Sequence, residues 1–184
     1  MLEIRVHGRG GQGAVIASKI LAYAFAMEGK YVQAFPEFGV ERRGAPVAAF
    51  IRVHDSKISV RSKIYNPQHL IVLEPTLINV IDITEGLKPG GFIVINTKKN
   101  PKEISLNAQG TKIATVDATS IAISHRLGSK VAPIVNTAIL GAFAKVTGFV
   151  KIESIVSAIK GEVPIKPEEN AQAAMDAYNS TITE

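Results

Sequence analysis

Six residues near the start of the chain, Gly8-Arg9-Gly10-Gly11-Gln12-Gly13, constrain the fold more than any others. They follow the alternating run Leu2 to Val6 and precede apolar residues at Ile16, Ile20, Tyr23 and Met27. Alternation with a period of two reads as a strand and the later spacing as a helix, so the glycines mark a tight strand-to-helix turn. Gly29 is placed to cap the helix, and Tyr31-Val32-Gln33-Ala34-Phe35 reads as a second strand stopped by Pro36. The opening is therefore a β-α-β unit, expected to be parallel and right-handed.

The same alternation continues. Val47 to Val53 and Lys57 to Arg61 read as a hairpin around His54-Asp55-Ser56. Leu70 to Leu73 reads as a buried central strand, with a helix from Thr76 to about Glu85. Phe92 to Ile95 and Lys112 to Val116 are further strands, and a helix follows Asp117 and stops near Gly128. Asn136 to Lys145 is a helix of small apolar residues that must pack inside the domain or against another subunit. Helices over Ile152–Lys160 and Glu168–Asn179 flank a proline-marked connector, the last of them docking loosely or reaching to a partner. The expected fold is a single three-layer α/β/α domain with a mixed, mostly parallel sheet. Its core spans residues 1–150 and a C-terminal helical extension spans 151–184.

Composition narrows the chemistry. With 184 residues, 46% of them hydrophobic, the chain can bury one sizeable core. It has no cysteine, which excludes disulfides, thiolate-held iron–sulfur clusters, cysteine zinc sites and a thiol nucleophile on this chain. No apolar run is long enough to span a bilayer, and the start reads as a strand rather than a leader, so a cytoplasmic protein is expected. The net charge of +5 and pI near 9.5 suit an anionic cofactor or an acidic subunit as well as nucleic acid, because the basic residues are scattered. His7, His54, His69 and His125 lack the spacing of a metal site and read as strand-end, turn or surface residues.

Gly8, Gly10 and Gly13 satisfy G-x-G-x-x-G between a strand and a helix, the context of a dinucleotide-binding turn. Free N–H groups at the helix start would face a diphosphate there. That reading, a free-standing NAD(P)-binding Rossmann-like oxidoreductase, also requires an acidic residue at the end of the second strand. Glu37 falls several positions late. Two other readings stand beside it: glycines that only permit close packing, or a contact with another subunit.

Gln33 to Pro46, with Pro36-Glu37-Phe38-Gly39-Val40-Glu41-Arg42-Arg43-Gly44 at its centre, resembles the signature of the gamma subunit of pyruvate and related 2-oxoacid:ferredoxin oxidoreductases. Gly8–Gly13 and Asn136–Ala142 resemble two more blocks of that family in the same order. Val40 departs from it, since many relatives carry proline there. The resemblance implies oxidative decarboxylation of a 2-oxoacid, most naturally pyruvate, to an acyl-coenzyme A, with electrons passed to ferredoxin. It implies thiamine diphosphate and iron–sulfur clusters on partner alpha, beta and delta subunits, and no complete active site here. The gamma chain keeps scaffold and interface roles and part of a coenzyme A site.

The candidate contacts to coenzyme A or a neighbouring subunit are Gly8, Arg9, Gly10, Gly11, Gln12, Gly13, Glu41, Arg42 and Arg43. Arginine's planar fork suits phosphate and carboxylate, although Glu41 and the arginines could equally form a local ion-pair network. Glu74 and Asp117 follow apolar strands and read first as helix caps, as does Asn136-Thr137. No catalytic residue, metal site, nucleic acid or membrane is expected. A pure assembly module with no ligand of its own remains a third reading.

Overall fold

A computed structural model describes residues 1–37 and 43–184. In chain order the elements are β1 (Leu2–Arg9), α1 (Ala14–Met27), β2 (Tyr31–Pro36), β3 (Pro46–His54), β4 (His69–Val72), β5 (Phe92–Asn96), β6 (Lys112–Val116) and α2 (Ala118–Ser124). A two-strand hairpin, β7 (Gly128–Ser129) and β8 (Ala132–Pro133), precedes α3 (Ala138–Thr147), α4 (Ile152–Glu162), α5 (Pro167–Ser180) and β9 (Ile182–Thr183).

The main sheet has the order β2-β3-β1-β4-β5-β6-β9. Parallel pairing joins β1 to β4, β4 to β5 and β5 to β6, whereas β3 runs antiparallel to both β1 and β2. The sheet is therefore mixed, with β1, β2, β4, β5 and β6 pointing one way, in an α/β fold. Because β3 lies between β1 and β2, the opening β-α-β unit is parallel in direction but not in neighbouring strands. The expected hairpin over Lys57–Arg61 is absent: β1 and β2 occupy both edges of β3, and Lys57–Arg61 lies in an irregular, mostly exposed loop.

One sheet face carries Ile4, Val6, Ile51, Ile71, Val94 and Ala114 into the main core, where all five helices pack. The C-terminal helices are integral to that core. Ile155, Ile159, Ala173, Ala174 and Ala177 are buried, so the last helix neither docks loosely nor reaches away. The other face is covered by a 3-10 turn (Pro75–Asn79) and by loops holding Leu77, Ile83, Leu87 and Leu106. A longer helix from Thr76 to Glu85 does not form. Ile78, Val80, Ile81 and Ile83 are β-branched, and Asp82 draws the chain into a local turn by accepting from the Thr84 N–H and hydroxyl at 2.9 and 2.6 Å.

Beneath β1 and β3 that second face sets buried polar groups beside a small apolar cluster of Ala48, Phe50 and Ile64. Arg52, 1% exposed, donates through Nε to Glu3 at 2.9 Å and lies over the Phe35 ring at 5.5 Å. Replacing Arg52 with Ala leaves a largely buried carboxylate with only the longer Lys88 contact at 3.8 Å, and we expect a loss of about 3 kcal/mol in chemical denaturation. The double variant Glu3→Met/Arg52→Leu should recover most of it.

His7 lies inside β1 and His69 opens β4, a strand end as expected, and both are buried, 5% exposed each, rather than on the surface. His7 accepts from Arg5 Nε at 2.9 Å and His69 from the Phe92 N–H at 3.1 Å, so both are held neutral. Burial, aided at His7 by the Arg5 charge, pushes their imidazoles down to about 3 and about 4. An unfolded histidine takes its proton near pH 6.5, so below that pH the unfolded chain binds more protons than the folded one. Stability contributed by these groups is intact above pH 7 and falls as pH drops from 6.5 toward 4. Denaturant midpoints measured across that window should fall steeply, and a flat profile would contradict the buried neutral histidines.

Candidate functional site

The chain reverses its direction of travel across the sheet between β1 and β4: from β1 it crosses to β2 on one side, and β4 begins the run to the other. Open α/β sheets bind ligands at such a point, outside the carboxyl ends of the strands. Three strand ends meet there, followed by the glycine turn after β1, Glu74-Pro75 after β4 and Asn96 at the end of β5.

The six turn residues divide into two groups. Gly8 pairs with Val47 inside β3, while Arg9 and Gly10 tie the turn to the loop before β3: the Gly10 N–H donates to Ala45 O at 2.9 Å, Gly44 N–H to Gly10 O at 3.0 Å, and Arg9 Nη1 to Gly44 O at 3.0 Å. Arg43 is exposed in this loop. The structure thus brings the glycine turn and the Arg43–Ala45 segment together; Glu41 and Arg42 lie outside the described residues. Gly11, Gln12 and Gly13 instead line a crevice of about 610 Å³ with Glu74, Asn96 and the hairpin residues Lys130 and Val131.

Gly13 occupies the cap position of α1 in the left-handed region, φ 81°, where an L side chain is strained. No side chain caps this helix and no acidic residue stands in its first turn. Among the described residues, the Ala14, Val15 and Ile16 N–H groups meet no acceptor. They form the positive end of a 14-residue helix, suited to an anionic group.

Arg9 Nη2 donates to Thr76 Oγ1 at 3.1 Å, Thr76 Oγ1 to Glu74 at 2.7 Å, and Gln12 Nε2 to Glu74 at 2.8 Å. Burial alone would raise the Glu74 carboxyl, but the bonds from Thr76 and Gln12 and the charge of Arg9 outweigh it and leave it below the usual carboxylate range. Glu74 therefore stays anionic at neutral pH, and one edge of the crevice is negative while the helix start is positive. Its expected capping role holds, since it also accepts the Thr76 N–H at 3.2 Å. Asp117 likewise caps α2 through the Ser120 N–H at 3.0 Å.

Thr137 holds the cap position of α3, but neither its side chain nor that of Asn136 makes a cap bond there. Asn136 reaches across the fold, its Nδ2 donating to Gly13 O at 3.4 Å. It is 4% exposed, and its Oδ1 has no partner among the described residues. Thr137 donates to Asn170 Oδ1 at 2.7 Å and so ties α3 to α5. Asn136, Asn96, Lys130 and Val131 enter the site only through tertiary structure. Asn136 also opens the Asn136–Ala142 block that resembles the family, whereas for Asn96, Lys130 and Val131 the one sequence signal is position, at or beside a strand end.

Glu37, the nearest acidic residue to the end of β2, pairs with Lys63 beside Arg5 and His7 rather than in the crevice. With β3 inserted between β1 and β2 as well, no acidic residue among the described ones stands where a dinucleotide fold makes its ribose contact, and the free-standing NAD(P) reading is not favoured. Among the described residues no helix is long and apolar enough to cross a membrane.

What the geometry defines is an α/β subunit with an anion-suited crevice at its switch point. Residues 3–180 match the protein family described as pyruvate ferredoxin/flavodoxin oxidoreductase. The chain is 54% identical to the pyruvate/ketoisovalerate oxidoreductases common subunit gamma of Thermococcus kodakarensis, over 99% of this chain and 98% of that one. It is 52% identical to pyruvate synthase subunit PorC of Methanocaldococcus jannaschii, over 99% and 98%. The crystal structure of pyruvate oxidoreductase subunit PORC from Thermotoga maritima superposes with a TM-score of 0.81 at 37% identity, over 100% of this chain and 98% of that one. The chain belongs to the pyruvate ferredoxin/flavodoxin oxidoreductase family, as a gamma-type subunit of an oxidoreductase complex.

Proposed function

We propose that this chain, as one gamma-type domain, works with alpha, beta and delta subunits in the cytoplasm to convert a 2-oxoacid, pyruvate first among candidates, to its acyl-coenzyme A with electrons passed to ferredoxin. Thiamine diphosphate and iron–sulfur clusters belong to the partners in this reading, which agrees with a chain that has no cysteine. Its own task is to receive part of coenzyme A at the crevice beside Gly11, Gln12 and Gly13.

The observation that carries this reading is the open start of α1 at the crevice. Its free first-turn N–H groups suit a phosphate, and Asn136, whose Nδ2 donates to Gly13 O, lines the same crevice. Coenzyme A carries such phosphates along one extended molecule. Arg43, and Arg42 with Glu41, would add a charged rim, with Arg9 anchoring the loop that bears them.

The test is to purify the complex through this chain and measure coenzyme A-dependent reduction of ferredoxin with pyruvate, 2-oxoglutarate and branched-chain 2-oxoacids. Activity with co-purifying thiamine- and cluster-bearing subunits is the expected result. In that complex Arg42→Ala and Arg43→Ala should each raise the KM for coenzyme A about 3- to 10-fold with little change in kcat, as for loss of a partly exposed charge-assisted contact. An unchanged KM in both would remove the arginines from the site.

A further inference from the structure

The crevice continues, past Ile16, Ile134 and Asn136, into a second cavity of about 630 Å³ on the side away from Glu74. Its floor is α1, and its walls are the segment entering β7 and the connector residues Val163-Pro164-Ile165-Lys166. Ile165 is 73% exposed there, a large apolar side chain left in solvent.

That exposure is built in. Pro164 and Pro167 restrict the connector, and Asn170 Nδ2 donates to both Ile165 O and Lys166 O at 3.2 and 2.8 Å while its Oδ1 is held by Thr137. Among the described residues Lys166 and Arg126 are the non-glycine ones with positive φ, 52° and 54°, and they face each other across the cavity mouth through Lys166 Nζ and Arg126 O at 2.6 Å. Left-handed backbone at such residues costs roughly 1–2 kcal/mol each and persists where the surroundings hold it for a purpose. A rigid ledge that offers an isoleucine loses little entropy when a partner covers it.

Charge indicates the partner. Lys19, Arg126 and Lys166 line the cavity against one acid, Glu162, and among the described residues none of the three is in an ion pair. An apolar floor with a basic rim fits an apolar side chain flanked by carboxylates.

We propose that this cavity is a docking surface for another subunit of the same oxidoreductase, which inserts an apolar anchor flanked by Asp or Glu against Ile165. The proposal rests on the chain being one subunit of a complex. Ile165 lies outside the coenzyme A crevice, so assembly and ligand binding can be separated.

The experiment is co-expression of the whole complex with wild-type chain, Ile165→Asp, Lys166→Glu, and Lys102→Glu as a distant control, read by native mass spectrometry after affinity purification. Circular dichroism of each free chain checks that it is folded. A photo-crosslinking residue at position 165 then identifies what covers the ledge. We expect Ile165→Asp to be retained at least ~30-fold more weakly, Lys166→Glu ~3- to 10-fold more weakly at low salt, and the control unchanged. The crosslink should fall in an acidic, apolar-anchored segment of a partner subunit. Full retention of folded Ile165→Asp overturns the docking surface, as does a crosslink only to a second copy of this chain, or a raised KM for coenzyme A with assembly intact. Failure of the wild-type chain to recover any partner would instead overturn the subunit reading.

Discussion

Gly141→Ala should cost more than about 4 kcal/mol of folding stability, although alanine is the better helix former by roughly 1 kcal/mol. A Cβ at position 141 would lie 1.8 Å from the carbonyl oxygen of Ala174, on the facing helix α5, and 2.7 Å from its carbonyl carbon. The obstacle is backbone, so no rotamer relieves it and shortening Ala174 to glycine does not help. α3 and α5 would have to separate, uncovering Ala138 to Ala144 on one side and Ala173, Ala174 and Ala177 on the other, all at the centre of the core. Overpacking on this scale exceeds the usual 1–3 kcal/mol because an entire helix must move. The check is a urea titration of the chain. A midpoint unchanged or raised, as helix propensity alone predicts, would show that the helices do not approach so closely.

That contact explains why the small-residue helix was legible in type but not in role. Ala138 to Ala144 announces close packing, yet packing against another subunit and packing against α5 leave the same local pattern. The strands and the glycine turn were readable because period-two alternation and a left-handed cap are set within a few residues. Strand neighbours were not. Val47–Val53 and Lys57–Arg61 both alternate like hairpin strands, and only the competition of β1 and β2 for the edges of β3 leaves the second unpaired. The helix expected from Thr76 was lost to a side-chain turn at Asp82, which competes on nearly equal terms with a β-branched helix.

The site shows the same boundary. That Gly8–Gly13 makes a helix start open to an anion followed from the order strand, glycines, helix. That Arg9 and Gly10 spend their groups on Gly44 and Ala45, leaving Gly11 to Gly13 to face the crevice, depends on β1 lying against β3. Asn136 is the clearest case. Asparagine before a helix is ordinarily a cap, and nothing within ten residues of it says that its side chain ends at Gly13.

Gly13→Ala tests that long-range contact and the ligand site together. The new Cβ would sit 2.4 Å from Asn136 Nδ2 and in left-handed backbone at φ 81°. The first fault is steric and involves a side chain, so Asn136→Ala removes it; the second is intrinsic and remains. We expect Gly13→Ala to destabilise the chain by about 2–3 kcal/mol and Gly13→Ala/Asn136→Ala to lose less than the sum of the two single variants, a coupling of roughly 1 kcal/mol or more. Additive losses would place Asn136 clear of position 13. In the assembled complex Gly13→Ala tilts the first-turn N–H groups away from the crevice, and Asn136→Ala removes the side chain that lines the crevice and holds the Gly13 carbonyl. Each should raise the KM for coenzyme A about 10-fold or more, equivalent to about 1.4 kcal/mol, while the KM for the 2-oxoacid stays near its wild-type value. A parallel rise in both constants would indicate general damage to the complex. A rise confined to coenzyme A separates a ligand contact from a purely structural turn, because a turn that only shapes the fold has no reason to distinguish the two substrates.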